Sequence, residues 1–528
     1  MIILLKNITG STLLHPILFS IFPVIFLYSQ SDNILPFRGF IFPLFLSIFV
    51  TLLLLIVVRY VLKNKPKSAL IVSLFVFLSL TFGHFKNLLS SYEGIFEITD
   101  IHVFTLFGIL VIGGSFYFIK TKRKLDNATI ITNSVAVILV VMVLVNIGTY
   151  NFEKSFYDEF NDYTPNQSLS ISEKFGSPDV YILVLDAYEN QMVLQKFFDY
   201  DNQEFIDSLI DQGFFVSNTY TNSNYDKTDF SVPSILNMDY VHNLVPSGVS
   251  DKYKVELRNK LTNNNIVMKN FKALGYKNIG LDSGWIGTRV VDIADENLCE
   301  KSNDSRILNL LKEISIFQSL SLIIANDLGK DLNQNILNEF DKVPIDHEKR
   351  QKVFCNFSEL PQIHQKFEKP VFVFWHILSP HTPWVFDSNG DPPLEKVSSL
   401  MKNVKKRQMA YLNEMEFINK KIIDSTKKLI LESDNEPIII ILSDHGTRIV
   451  DNERTEDEKN IIRYGNLMAF YLPNDVEPLA YETTPVNIFR LIFNSYFNGD
   501  YKILENKVFD KSEKEIVDWE KKVNNVFG

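Results

Sequence analysis

Three apolar runs in this chain stop on residues that bind cations or move protons. Ile438–Arg448 reads IIIILSDHGTR, where an apolar run meets Ser443, Asp444 and His445. A carboxylate beside an imidazole at the end of a buried strand lets both turn toward one divalent cation, and Gly446 predicts a sharp exit of the backbone. The plain alternative is a capping aspartate next to a surface histidine. PDVYILVLD (Pro178–Asp186) ends on Asp186, a hard carboxylate suited to the same cation, although an aspartate after a strand also serves as a helix cap. PVFVFWH ends on His376, and HILSPHTPW (His376–Trp384) adds His381 between Pro380 and Pro383. The prolines present His381 rigidly, toward a phosphate; for His376 a structural role and a substrate contact both stay open. A fourth stretch, NYDKTDFSVPSILNM (Asn224–Met238), sets Thr228 ahead of an expected helix. Backbone N–H groups and the positive end of the dipole there bind phosphate and favour an alkoxide. The rival reading makes Thr228 or Ser231 an N-cap.

These residues need a sheet to carry them. Pro178–Asp186, Tyr276–Asp282, Pro370–His376, Pro437–Asp444 and Leu467–Leu472 read as strands. Helical stretches fall between them at Glu204–Gln212, Lys254–Leu274, Ser305–Ile324 and Leu400–Glu432. Continuous apolar strands alternating with helices predict an α/β domain with a mostly parallel sheet covered on both faces. Ligands then bind beyond the carboxyl ends of the strands, where Asp186, His376 and Asp444 lie.

The preceding part of the chain is of a different kind. Five apolar segments approach the roughly 20 residues needed to span a bilayer: Leu13–Tyr28, Ile41–Leu62, Ala69–Phe85, Val103–Ile119 and Ile130–Gly148. The first has no small-residue cleavage site after it and further spans follow, so it is kept as a helix. Arg59, Lys63, Lys65 and Lys67 follow the second span, and Lys120, Lys122, Arg123 and Lys124 follow the fourth. The links Gln30–Arg38 and Lys86–Asp100 are poor in base. The positive-inside rule then puts the basic links and the N-terminus in the cytoplasm and everything after the fifth span outside. His84 and His102 sit near span ends, and scarce intramembrane charge argues for an anchor over a transport path. The expected organisation is a five-helix anchor over residues 1–150, a polar and aromatic linker over 151–175 and an extracytoplasmic catalytic domain over 176–528.

The 528 residues carry a net charge of −10 with 46% hydrophobic content, and the mean hydropathy is +0.02. No basic stripe exists, which excludes nucleic acid as an expected partner. Two cysteines, Cys299 and Cys355, allow a disulfide or two separate thiols.

Taken in chain order, strand–Asp, Thr before a helix, a His-x4-His-x-Pro loop and strand–Asp-His-Gly resemble the alkaline phosphatase and sulfatase superfamily. In particular they resemble its membrane-anchored branch, which includes lipoteichoic acid synthases and phosphoethanolamine transferases. The five-span layout and the stretch TTPVNIFRLIFNSYFNGD (Thr483–Asp500) are similar to that branch too. The resemblance implies that Asp186, Asp444 and His445 hold one divalent metal (zinc, manganese or magnesium) with Thr228 as a further ligand and nucleophile. It implies His381 as the substrate-side histidine. Apart from the resemblance, His376, Lys227 and Arg448 are expected to contact substrate, with Arg463 and Arg289 as alternatives to Arg448 for the phosphate. The implied partners are a lipid phosphodiester donor, a glycan or lipid acceptor and the membrane of a bacterial cell.

The departures from the family pattern bear on the activity. True sulfatases carry Cys or Ser in a C/S-x-P-x-R motif; here Thr228 stands at its head, with Phe230 in place of Pro and Val232 in place of Arg. Threonine cannot form the aldehyde that sulfatases use. No histidine follows His445, although phosphoethanolamine transferases have one. The expected activity is therefore phosphoryl-group transfer, with a hydrolase of the same superfamily, an inactive envelope assembly protein and a transporter as the competing readings.

Overall fold

The computed structural model describes residues 11–30, 37–84, 100–157, 164–300, 315, 344–473 and 484–528, apart from 218, 247, 286, 290, 368–369, 395–402, 434, 452 and 511. The chain divides into a first, helical unit, Met1–Tyr157 with Lys301–Asp341, and a second unit, Asp158–Glu300 with Lys342–Gly528. The expected helix Ser305–Ile324 and most of the Lys86–Asp100 link lie outside the described residues.

The helical unit contains α1 (Leu14–Gln30), α2 (Phe37–Leu62), α3 (Lys65–Leu80), α4 (Asp100–Lys120) and α5 (Asp126–Tyr157). Ile41–Leu62, His102–Lys120 and Asp126–Thr149 are long and apolar enough to cross a membrane. They expose large apolar side chains such as Phe45, Ile56, Ile112 and Ile138, which water would not tolerate in such numbers. α1 and α3 have 17 and 16 residues, about 26 and 24 Å at about 1.5 Å per residue, against a hydrocarbon core of about 30 Å. Lys67 Nζ donates to the carbonyls of Ile119 and Thr121 at 2.8 and 2.9 Å, so the two basic links stand side by side at one end of the unit. His15, which the sequence reading passed over, is fully buried with Nδ1 2.5 Å from Ser73 Oγ. Asn133 donates to the Ser11 carbonyl at 2.9 Å. Polar contacts of this kind hold helices together where burial of apolar surface gives no driving force. Residues 151–157, expected as linker, continue α5.

The second unit is built on a seven-stranded sheet of order β2-β7-β6-β1-β5-β3-β4. The strands are β1 (Val180–Leu185), β2 (Phe215–Val216), β3 (Lys277–Leu281), β4 (Glu296–Leu298), β5 (Val371–Ile377), β6 (Ile438–Ser443) and β7 (Met468–Tyr471). β1, β3, β4, β5 and β6 run parallel; β7 is antiparallel to β6 and to β2. β1 is buried along its whole length. Its Tyr181, Leu183 and Leu185 enter one core and its Val180, Ile182 and Val184 the other, which is why the strand reads as one uninterrupted apolar run. Helices α6 (Gln203–Asp211), α7 (Thr228–Asn237), α8 (Asp251–Asn263), α9 (Ile266–Ala273), α10 (Pro344–Glu359), α11 (Val404–Glu432) and α12 (Ile488–Tyr496) complete the elements that matter below. The single helix expected over Lys254–Leu274 is two: the chain breaks at Asn264, and Asn265 caps α9 by accepting the Met268 N–H at 2.8 Å. Asparagine side chains compete for backbone donors and so end helices more readily than they continue them.

Candidate active site

The site stands at the carboxyl ends of β1, β5 and β6. Leu185 pairs with Ser443 of β6 and Ile377 of β5, so Asp186 and Asp444 leave neighbouring strands at the same level. Asp186, Asp444 and His445 each place a ligand atom within 4.8 Å of the others, and all three are buried. His445 Nε2 lies 3.6 Å from Asp186 Oδ1 and 3.5 Å from Asp444 Oδ2. These are ion-pair separations too long for hydrogen bonds, and Asp186 Oδ1 and Asp444 Oδ2 have no hydrogen-bond partner. Donors about 2.0–2.2 Å from a tetrahedral cation stand roughly 3.4 Å apart, so the oxygen and nitrogen set fits a divalent metal in chemistry and in spacing. Among the described residues no other such cluster occurs.

Local structure fixes each donor. Asp444 Oδ1 accepts the N–H of His445 at 2.9 Å and of Ala187 at 3.1 Å, which leaves Oδ2 turned inward. His445 Nδ1 lies 2.7 Å from the Gly446 carbonyl. That contact places the proton on Nδ1 and leaves Nε2 as the lone-pair donor. Gly446 is needed for space: a Cβ there would stand 1.9 Å from the Ile462 carbonyl oxygen and 2.8 Å from Glu189 Oε1. The expected reason, a backbone conformation reserved for glycine, does not apply, since Gly446 is not among the residues of positive φ. Glu189 itself accepts the Thr447 N–H at 2.6 Å, and burial pushes its carboxyl well above the usual range.

Thr228 is the first residue of α7, after Lys227 as N-cap. Its hydroxyl is not spent on capping: Oγ1 lies 3.2 Å from His445 Nε2 and within reach of Asp444. Ser231 donates instead to the Tyr225 carbonyl at 3.1 Å. Phe230 packs beside Tyr225 and under the Arg258 guanidinium, and Val232 is buried in the core, so neither position offers a polar group to a ligand.

His376 is placed differently from its expected role in substrate contact. The ring is fully buried and does not line the open cavity. Its Nδ1 lies 2.8 Å from Thr288 Oγ1, and its unpartnered Nε2 faces Asp186 Oδ2 at 3.8 Å and Asp444 Oδ2 at 3.9 Å. His376 thus backs the two carboxylates from the protein side.

A cavity of about 510 Å³ opens over the cluster. Its walls include Asp186, Thr228, His445, His381, Lys227 and Arg448, and also Asp229, Glu348, Lys349 and Trp285, which sequence reasoning missed. The one available signal was β3, whose run also stops on an acid, Asp282, just before Ser283-Gly284-Trp285. Arg448 Nη2 donates to the Asp226 carbonyl at 2.7 Å. Arg289 faces Glu348 and Asp282 instead, and neither Arg289 nor Arg463 lines the cavity.

The electrostatics follow from burying like charges together. Burial first, and then Asp444, raises the Asp186 carboxyl above its usual range. Burial opposes ionisation of Asp444 as well, but His445 and His376 hold it below the usual range. Burial holds the His376 imidazole down at about 4, hence neutral. Burial and the Lys349 charge lower His381 too. One carboxylate therefore waits for a cation to stabilise its charge.

Cys299 and Cys355, left open by the sequence, are paired, with Cα atoms 6.0 Å apart.

No curated protein matches the chain. Among solved structures it is similar over 89% of its length, and 88% of the other chain, to the integral membrane lipooligosaccharide phosphoethanolamine transferase A of Neisseria meningitidis, at 14% identity and a TM-score of 0.37. The periplasmic domain of Escherichia coli EptC, in complex with Zn, is 12% identical with a TM-score of 0.40, covering 65% of this chain and 92% of that one. The lipoteichoic acid synthase LtaP of Listeria monocytogenes is 13% identical with a TM-score of 0.35, covering 64% and 77%. The sulfatase family model matches residues 171–470, more than half of the chain and the whole of the metal-type cluster with its threonine, and the chain belongs to the sulfatase family.

Proposed function

We propose that this protein is a membrane-anchored, metal-dependent phosphoryl-group transferase with Thr228 as nucleophile. The observation that carries the reading is the Thr228 hydroxyl, free of capping duty, 3.2 Å from His445 Nε2 at a cluster of unpartnered carboxylate oxygens. Asp186, Asp444 and His445 would hold the metal, with Thr228 Oγ1 beside them. When bound, a divalent metal lowers the pKa of an adjacent hydroxyl and neutralises phosphoryl charge. The start of α7 turns its dipole toward the phosphate, and Lys227 and Arg448 add positive charge at the cavity wall. Thr228 Oγ forms the bond to phosphorus as the bond to the donor oxygen breaks. His381 Nε2, unprotonated at rest, would take the Thr228 hydroxyl proton and pass it to that leaving oxygen; the acceptor oxygen would then bond to phosphorus as the Thr228 Oγ1–phosphorus bond breaks, and the acceptor proton would return to Thr228 Oγ1 through His381. Its Nδ1 is 2.6 Å from the Thr382 carbonyl, which leaves Nε2 for this exchange.

The anchor supports a lipid donor, because tethering to a membrane raises the effective concentration of lipid head groups. α5 follows the second basic link and runs 32 residues, about 48 Å at about 1.5 Å per residue, against a hydrocarbon core of about 30 Å. With the basic end cytoplasmic, the chain enters the α/β domain on the outer side of a bacterial plasma membrane. A paired disulfide fits that compartment. Incubating the metal-loaded full chain with a head-group-labelled lipid phosphodiester tests the reading. Label on a glycan or lipid acceptor, abolished in Thr228→Ala, supports transfer; release only as the free phosphorylated head group assigns a hydrolase.

A further inference from the structure

The loop that carries His381 is held by basic side chains from elsewhere in the chain, and they are consecutive. Lys349, on α10, donates to the carbonyls of His381 at 2.7 Å and Pro383 at 2.9 Å, and to Glu414 Oε1 at 2.8 Å. An ammonium has three protons, so this set uses all of them. Arg350, the next residue, donates to the carbonyls of Val385 at 2.6 Å and Gly390 at 3.0 Å. Glu414, on α11, accepts the N–H groups of Val385 at 2.5 Å and Phe386 at 3.2 Å. The Lys349 and Glu414 side chains are 5% and 0% exposed, so the pair is a buried one, with all three ammonium protons and both carboxylate oxygens engaged by the loop or by each other.

Lys349 also reaches the cavity wall, where a lysine would ordinarily be read as a phosphate contact. Its proton count argues otherwise. We infer that the Lys349–Glu414 pair is a positioning device that fixes the His381 loop over the metal-type cluster, and not a charge that binds substrate. α10 is itself tied down by the Cys355–Cys299 disulfide and by the Lys352 ammonium, which contacts Asp282 and donates to the Cys299 carbonyl at 2.7 Å. The clamp is thus referenced to the β3 side of the cavity.

The part of this inference that concerns catalysis rests on the proposed role of His381, so its test has a readout that does not. The metal-loaded full chain, wild type, Lys349→Met and the charge-balanced Lys349→Met/Glu414→Gln, is treated with diethyl pyrocarbonate, and carbethoxylation of each histidine is followed by peptide mass spectrometry. The expected result is at least a tenfold faster reaction at His381 in both variants, with buried His376 unreactive as the control for folding. Rates at His381 within twofold of wild type would overturn the inference, whatever the activity. The second arm compares bis-p-nitrophenyl phosphate, whose leaving group needs no proton, with phosphatidylethanolamine in mixed micelles. A positioning role predicts kcat down less than threefold on the first and at least tenfold on the second, with both KM values within threefold. KM up tenfold or more on both with kcat unchanged would make Lys349 a substrate contact and contradict the inference. If wild type turns over neither substrate, the proposed activity fails and the modification rates still decide the clamp.

Discussion

Two buried carboxylates with oxygens within 4.8 Å of each other are expensive unless something positive sits between them. Asp186 Oδ1, Asp444 Oδ2 and His376 Nε2 are all unpartnered, so the cluster is unsatisfied as a protein structure and satisfied as a ligand set. Asp444→Ala should therefore abolish stoichiometric metal in the purified chain, measured by inductively coupled plasma mass spectrometry. His376→Gln, which removes only the support behind the carboxylates, should weaken metal affinity by about 10–100-fold; retention of wild-type affinity would assign His376 a purely packing role. His381 gives the pH dependence. Burial and Lys349 both disfavour its imidazolium, so it is neutral through pH 7 and accepts a proton only below its ordinary 6.5. The acceptor half-reaction should be flat near neutrality and fall on the acid side with an apparent pKa below 6.5; a limb above that value would mean another group is titrating.

Elements set how much of this was readable in advance. β1, β5 and β6 were legible because strands buried on both faces are almost wholly apolar, and the polar residues that close the run mark the tip. Asp186 lies just past β1, His376 one residue inside the end of β5, and Ser443-Asp444 straddle the end of β6. This pattern could not tell which way a tip residue faces, and His376 points inward because its Nδ1 is held by Thr288, 88 residues earlier in the chain. Lys349 and Trp285 reach the cavity from α10 and a β3 loop, and no local pattern marks a lysine whose partners lie 32 and 65 residues on. β2 has two residues, too few for any periodicity to register. The SDHG turn is the element most exposed to a single change. Gly446→Ala forces a methyl against two backbone carbonyls, and should cost about 1–3 kcal/mol or more by overpacking. It should also loosen metal binding, checked by denaturant unfolding with and without added zinc. An unchanged midpoint would mean the turn can shift freely. Reducing Cys299–Cys355, which closes a separation of 56 residues, should cost about 4 kcal/mol in the chain-entropy picture.

At the scale of the whole molecule, three helices among the described residues are fit to cross a membrane, and they precede an α/β unit of the sulfatase family. The sequence conveyed this division because apolar runs and acidic residues are segregated along the chain, and charge in the links gave an orientation that helix lengths alone do not. α1 and α3 are short for a span, so the topology is the sharper test. Phosphatase and fluorescent-protein fusions after Tyr157 and after Thr121 should report opposite sides of the membrane, the first outside. Identical reporting from both would remove the case for an extracytoplasmic site. With Thr228 as the nucleophile, the phosphoryl group must rest on that side chain between donor and acceptor. Intact mass, followed by peptide mapping, of the metal-loaded chain after incubation with a lipid phosphodiester and no acceptor reads this out. A phosphoryl-head-group adduct is expected on Thr228 in the wild type and none in Thr228→Ala. Steady turnover of the donor with no adduct on Thr228, or an adduct that survives in Thr228→Ala, would contradict that role for Thr228.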